Sequence, residues 1–260
     1  MSRPAIAALG LDAGSTTTKI VGVDGAGALV WHQLEAMDPR MAEQAERLVA
    51  AALDAGGPTD RQVPLVATGY GRDLVRGASK KVTEITCHGR GVFTALGHGG
   101  TLVDIGGQDS KVIIISEGGR VLNFAMNDKC AAGTGRFLEV VAARLKLSLG
   151  ELSEVALRSP EEVAISNTCT VFAESEIVSL LARGKAVEPI ARGLYRSLVK
   201  RVGALAKSAG LTPPVMLSGG VARSGAVAVM LGEQLGQGVE LPDQPQLMGA
   251  FGAALLALEG

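Results

Sequence analysis

The chain has 260 residues and a formal net charge of −1; 47% of its residues are apolar and only 3% are aromatic. That balance offers no basic surface for nucleic acid or for a membrane. No run reaches the ~18 apolar residues of a membrane-spanning helix, and residues 5–11 are too short a stretch for a signal-peptide core, so a cytoplasmic protein is expected.

In chain order, an apolar strand over residues 6–11 reaches the turn Asp12-Ala13-Gly14-Ser15, and strands over 18–23 and 29–33 follow. A helix over 42–55 has Leu48, Val49, Ala52 and Leu53 on one face; a strand over 63–68 and helices within 73–97 complete the first half. The second half opens the same way. A strand over 101–103 reaches Asp104-Ile105-Gly106-Gly107, and strands over 111–116 and 120–124 follow. Helices over 134–145, 171–183 and 187–209, a strand over 213–217, a helix over 222–235 and an apolar helix over 247–258 come next. The repeated opening predicts an internally duplicated α/β protein. Its two lobes are 1–98, completed by a C-terminal helix 246–260, and 99–245, with a cleft between them.

The Gly-rich turns suggest phosphate chemistry. In Asp12-Ala13-Gly14-Ser15-Thr16-Thr17-Thr18-Lys19, glycine lets the backbone approach a phosphate, hydroxyls and N–H groups donate to it, and Lys19 adds a point charge. Asp12 suits Mg2+ held through water. A plain hairpin explains this turn alone equally well. A second such turn, Asp104 to Asp109, and a third, Ser218-Gly219-Gly220, make the set more specific. No G-x-x-x-x-G-K-[ST] occurs, so this is no P-loop. The arrangement resembles the superfamily of acetate and sugar kinases, heat-shock chaperones and actin, whose lobes are RNase H-like. There the first two turns grip phosphates and the third contacts adenosine. The expected nucleotide contacts are Gly14, Ser15, Thr16, Thr17, Lys19, Gly106, Gly107, Gly133, Thr134, Gly219, Gly220 and Gln246, with Asp12, Asp104 and Gln108 as catalytic residues.

Three cysteines, Cys87, Cys130 and Cys169, are an odd number for a disulfide framework. Cys130 and Cys169 each stand ahead of a predicted helix, whose N-terminus favours a thiolate. Two ligands do not hold a cubane, but a two-fold dimer supplies four. Inert buried thiols and a shared zinc site fit the same residues. Cys87 beside His88 reads as a buried thiol next to a hydrogen-bonded imidazole, and His32 and His98 have no ligand-like neighbours.

Five segments carry a closer resemblance: Asp12 to Thr16, Ala67 to Arg72, Asp104 to Asp109, Met126 to Gly135, and Thr168 to Glu176. They are similar to the activators (component A) of 2-hydroxyacyl-CoA dehydratases, in the BadF/BadG/BcrA/BcrD ATPase group that also includes ATPase subunits of benzoyl-CoA reductase. The resemblance implies a homodimer with one 4Fe-4S cluster on Cys130 and Cys169 of both subunits. It also implies ATP/ADP and Mg2+, a dehydratase (component D) as electron acceptor, and ferredoxin or flavodoxin as donor. The departures, Gly89 and Ser224, touch neither cluster nor phosphate turns. The alternatives are a role in benzoyl-CoA reductase or another Fe–S enzyme, and a small-molecule kinase of the same fold.

Overall fold

The computed structural model describes residues 5–56, 62–166 and 169–260, so Asn167 and Thr168 of the second cysteine motif lie outside the described residues. The chain divides into two compact units, one of residues 1–99, 115–121 and 246–260, the other of residues 100–114 and 122–245.

In the first unit, β1 (Ala8–Ala13), β2 (Thr17–Val23) and β3 (Leu29–Ala36) form an antiparallel meander. The strands β4 (Leu65–Thr68) and β5 (Lys80–Lys81) join in parallel on the far side of β1, giving the order β3-β2-β1-β4-β5. Every position of β1 and β4 is buried, as central strands covered on both faces require. Leu9, Leu11 and Ala13 pack with Ala45, Leu48 and Ala52 of α1 (Met41–Gly56). Gly10 meets the backbone of α8 (Met248–Leu258). Helix α8 also packs on α2 (Glu84–Leu96) at backbone distance: a Cβ on Gly252 would lie 1.8 Å from the Cys87 carbonyl oxygen. Only glycine allows that approach.

Two expectations change here. Leu53 is 40% exposed, and the inner face of α1 instead takes Gln44. The Gln44 amide accepts from the Thr18 hydroxyl at 2.8 Å and donates to the Ala36 carbonyl at 2.7 Å, so its burial leaves neither end unsatisfied. The segment 73–97 is not helical throughout, since β5 interrupts it ahead of α2.

The second unit repeats the sheet. The strands β6 (Gly100–Ile105), β7 (Ser110–Ile115), β8 (Val121–Asn127), β9 (Val215–Ser218) and β10 (Val239–Glu240) lie in the order β8-β7-β6-β9-β10, the counterpart of the first sheet strand for strand. Between β8 and β9 run α3 (Gly135–Leu145), α4 (Leu149–Arg158), α5 (Thr170–Ala182) and α6 (Val187–Ala209); α7 (Gly225–Leu235) follows β9. The core gathers Val103, Ile105, Val112 and Ile114 of the sheet with Phe137, Ile177, Tyr195 and Leu198 of the helices. Helix α4 and strand β10 come in addition to the expected elements. Among the described residues no helix is long and apolar enough to cross a membrane.

Candidate functional site

The site grows out of the duplication. In the first unit Asp12, 5% exposed, ends β1, pairs across the hairpin with Lys19 and stands beside Thr68 of β4. Lys19 Nζ lies 3.0 Å from Asp12 Oδ2. In the second unit Asp104, 2% exposed, stands at the same place beside Ser218 of β9, whose hydroxyl donates to Asp104 Oδ1 at 2.8 Å. Lys111 Nζ lies 3.6 Å from Asp104 Oδ2 and 2.6 Å from Asp109 Oδ2. The aspartate-to-lysine spacing is the same in both turns, yet sequence reasoning named Lys19 and missed Lys111 and Asp109. Aligning the two halves was the signal that would have found them.

A glycine follows each parallel strand for one reason. Gly69 has φ +93° and Gly219 φ +89°. A Cβ on Gly69 would lie 2.5 Å from Asp12 Oδ1, and one on Gly219 would lie 2.9 Å from Asp104 Oδ1 and 2.4 Å from the Ile105 carbonyl oxygen. Both backbones thus pass against the buried carboxylates in a conformation that L side chains rarely adopt.

The remaining turn residues stay open enough to receive a ligand. Gly14, Ser15 and Thr17 are half-buried and Thr16 is exposed; Gly106 and Gly107 are half-buried and Gln108 is exposed. Gly220 opens a 3-10 turn, Gly220–Arg223, and Gln246 lies in another, Pro245–Leu247, ahead of α8. Buried carboxylates beside ammonium groups, next to open Gly/Ser/Thr backbone, suit Mg2+-bound phosphates. Ser224, the departure at the end of the third turn, lies 3.0 Å from the Ser153 hydroxyl and 3.1 Å from that of Tyr195 and helps hold the start of α7.

The second turn is wired to the first cysteine. Gly135 N donates to the Gly106 carbonyl and Arg136 N to that of Gly107, both at 2.8 Å. Thr134, fully buried, donates from its N–H and from its hydroxyl to the Ala131 carbonyl, at 3.1 and 2.7 Å. The Asn127 side chain closes the loop, donating to the Cys130 carbonyl at 2.8 Å and accepting from Cys130 N at 3.3 Å. This corrects the placement of Cys130 directly ahead of a helix. Thr134 is the N-cap of α3, and the first amides of that helix are taken by the turn carbonyls, so they do not face the thiol. Cys169 does fit that expectation: it is the N-cap of α5 and makes no side-chain capping bond.

Cys130 and Cys169 are free, exposed thiols of the second unit. Among the described residues no group of three or more His, Cys, Asp or Glu side chains can hold a metal ion. A single chain therefore offers two accessible thiolate ligands, which fits half of a four-thiolate set. Cys87 is different. It is fully buried in α2, and burial pushes its thiol up to about 12. Its neighbour His88 is placed by the fold next to Asp12: a Cβ on Gly249 would meet His88 Nε2 at 2.7 Å and Asp12 Oδ2 at 3.4 Å. The sequence alone gave no hint of that proximity.

The chain is 46% identical over 195 residues, 75% of its length and 73% of the relative's, to the 2-hydroxyisocaproyl-CoA dehydratase activator of Clostridioides difficile. It is 40% identical, over 96% of each chain, to the (R)-2-hydroxyglutaryl-CoA dehydratase activating ATPase of Acidaminococcus fermentans. Among solved structures, the activator of the 2-hydroxyisocaproyl-CoA dehydratase from Clostridium difficile with bound ADPNP superimposes with a TM-score of 0.88 at 39% identity, over 97% of this chain and 94% of that one. A ROK family glucokinase from Streptomyces griseus, with glucose and AMPPNP, matches with a TM-score of 0.62 at 17% identity over 97% and 99% of the two chains, a likeness of fold alone. The architecture is thus the two-sheet, actin-like one shared by sugar kinases and this group of ATPases. Residues 9–257 match the BadF/BadG/BcrA/BcrD ATPase family, and the chain belongs to it.

Proposed function

We propose that this ATPase activates a 2-hydroxyacyl-CoA dehydratase, using ATP to drive single electrons into that partner. The observation that carries the proposal is the 40% identity to a dehydratase-activating ATPase over 96% of both chains. ATP is assigned to the three turns. Asp12 and Asp104 hold Mg2+ through water, and Lys19 with the Gly14, Ser15, Thr16 and Thr17 backbone meets phosphate from the first unit. Gly106 and Gly107 meet it from the second, with the buried Gly133 and Thr134 backing that turn rather than touching the phosphate. Gly219, Gly220 and Gln246 take the adenosine, and Gln108, exposed at its turn, orients the attacking water together with Asp104.

Cys130 and Cys169 of two copies together hold one 4Fe-4S cluster, which supplies a one-electron carrier when bound. The relay within the second unit supports a coupling role. A phosphate that pulls on Gly106 and Gly107 pulls on the amides of Gly135 and Arg136, and through Thr134 on Ala131, next to Cys130. Ferredoxin or flavodoxin is the proposed electron donor.

The test is anaerobic purification followed by iron analysis and activation of a 2-hydroxyacyl-CoA dehydratase with ATP. About four irons per dimer and ATP-dependent dehydration support the reading. Cys130→Ala should lose iron and activation while keeping ATP-analogue affinity. Iron-free anaerobic protein that phosphorylates a sugar or an acid would instead identify a kinase.

A further inference from the structure

Beneath the Cys130 loop lies a cavity of about 300 Å³ within the second unit. Ser110 of β7, Asn127 at the end of β8, and Cys130 and Gly133 of the loop line one side; Arg201 and Ser208 of α6 line the other. Arg201 packs against the loop: a Cβ on Gly133 would lie 3.7 Å from Arg201 Cβ and 3.8 Å from its Cδ. Its Nε is buried and has no hydrogen-bond partner among the described residues, and no carboxylate of those residues lies within 4.0 Å of its guanidinium. Other shielded cations of this unit do have carboxylates: Lys111 has Asp104 and Asp109, and Arg196 has Glu162 and Glu233. A half-buried guanidinium without a counter-charge loses hydration with no ion pair to offset it. It is matched only by negative charge that arrives in the cavity it lines, and the one group there that becomes anionic on metal binding is the Cys130 thiolate.

We propose that Arg201 is a positioning residue for the Cys130 side of the metal centre, supplying fixed positive charge from the cavity beneath it and thereby raising the reduction potential of the centre. The proposal rests on the cluster reading above. Adding an electron makes a thiolate-bound centre more negative, and a nearby cation favours the more negative state. Net charge is one of the levers that set such potentials. Lysine keeps the charge at this position, whereas glutamine keeps the length and polarity without it.

The experiment is a redox titration of the anaerobically purified dimer, followed by electron paramagnetic resonance, with iron content measured alongside. Arg201→Gln should lower the reduction equilibrium constant at least tenfold, about 59 mV for one electron, and Arg201→Lys should restore it to within threefold. Ser208→Asp, which adds a carboxylate to the same cavity and leaves Arg201 in place, should lower it too. Iron-loaded Arg201→Gln with an unchanged potential overturns the inference and leaves the cluster reading intact. Should Arg201→Gln lose its iron, Ser208→Asp decides: a lowered potential supports the inference, and an unchanged one overturns it. Wild-type protein without iron overturns both.

Discussion

Removing the Lys111 charge should destabilise the second unit. The Lys111 side chain is 4% exposed and sits between Asp104, 3% exposed, and Asp109, 21% exposed. At the 3.6 Å separation from Asp104, unit charges attract by about 4–5 kcal/mol at an effective dielectric constant near 20. Lys111→Met keeps most of the side-chain volume and removes the charge. Asp104 is then a buried carboxylate with its main cation gone, and breaking such a pair from one side costs about 3–5 kcal/mol. With a urea slope of about 2 kcal/mol/M for a unit of this size, the midpoint should fall by about 2 M. Far-UV circular dichroism follows it. Trp31, the lone tryptophan, lies in β3 of the first unit, so its fluorescence reports that unit separately. The companion Asp104→Asn with Lys111→Met should recover part of the loss, because the more deeply buried of the two carboxylates is then neutral and only Asp109, 21% exposed, has lost its cation. A shift below about 0.4 M for the single substitution, under ~1 kcal/mol on that slope, would refute the argument that the pair is energetically buried.

Two further predictions test groups away from this pair. Glu35 is held down to about 2 chiefly by its hydrogen bond from Arg47, with Gln44 and Gln33 adding to it. Its folded value lies below the ordinary 4.5, so its contribution is present above about 4.5 and lost as pH falls from 4.5 towards 2; Glu35→Gln should unfold with a shallower acid dependence in that window. In iron-free protein at pH 8, iodoacetamide should modify Cys130 and Cys169 and spare Cys87, whose buried thiol stays protonated up to about 12, and mass spectrometry of the peptides counts them.

The long elements were legible because their periodicity is local. The boundaries of α6, 187–209, follow from apolar spacing alone, and the two strand-and-turn openings follow from short apolar runs ending at Asp12 and Asp104. What was missed depends on partners distant in sequence. The strands β5 and β10 are two residues each and exist only because β4 and β9 offer a parallel edge. Helix α4 was overlooked despite a readable start: the Ser148 hydroxyl accepts from Glu151 N, and the Glu151 carboxylate accepts from Ser148 N. Gln44 took the place of Leu53 because the Thr18 hydroxyl and the Ala36 carbonyl satisfy a buried amide, which apolar counting does not foresee. At the site, the cysteines and Gly-rich turns were visible as motifs. The proximity of His88 to Asp12, and the bonds from Gly106 and Gly107 to the start of α3, are products of tertiary folding.

The duplication also explains why the cysteines are where they are. In the first unit a single helix, α1, joins β3 to β4; in the second, four helices join the equivalent β8 to β9. Cys130 and Cys169 both lie in that longer connection, whose counterpart in the first unit has only α1 among its described residues. The Asp–Lys turn, by contrast, is present in both copies, with a hydroxyl residue and a positive-φ glycine behind each aspartate. The added helices begin where α3 bonds to the second turn, so whatever displaces Gly106 and Gly107 reaches the Cys130 loop through two amide bonds and one buried threonine before it reaches the rest of the core. The second unit is therefore the one in which its Gly-rich turn and a cysteine loop are joined over a short path, that of Gly106, Gly107, Thr134 and Ala131.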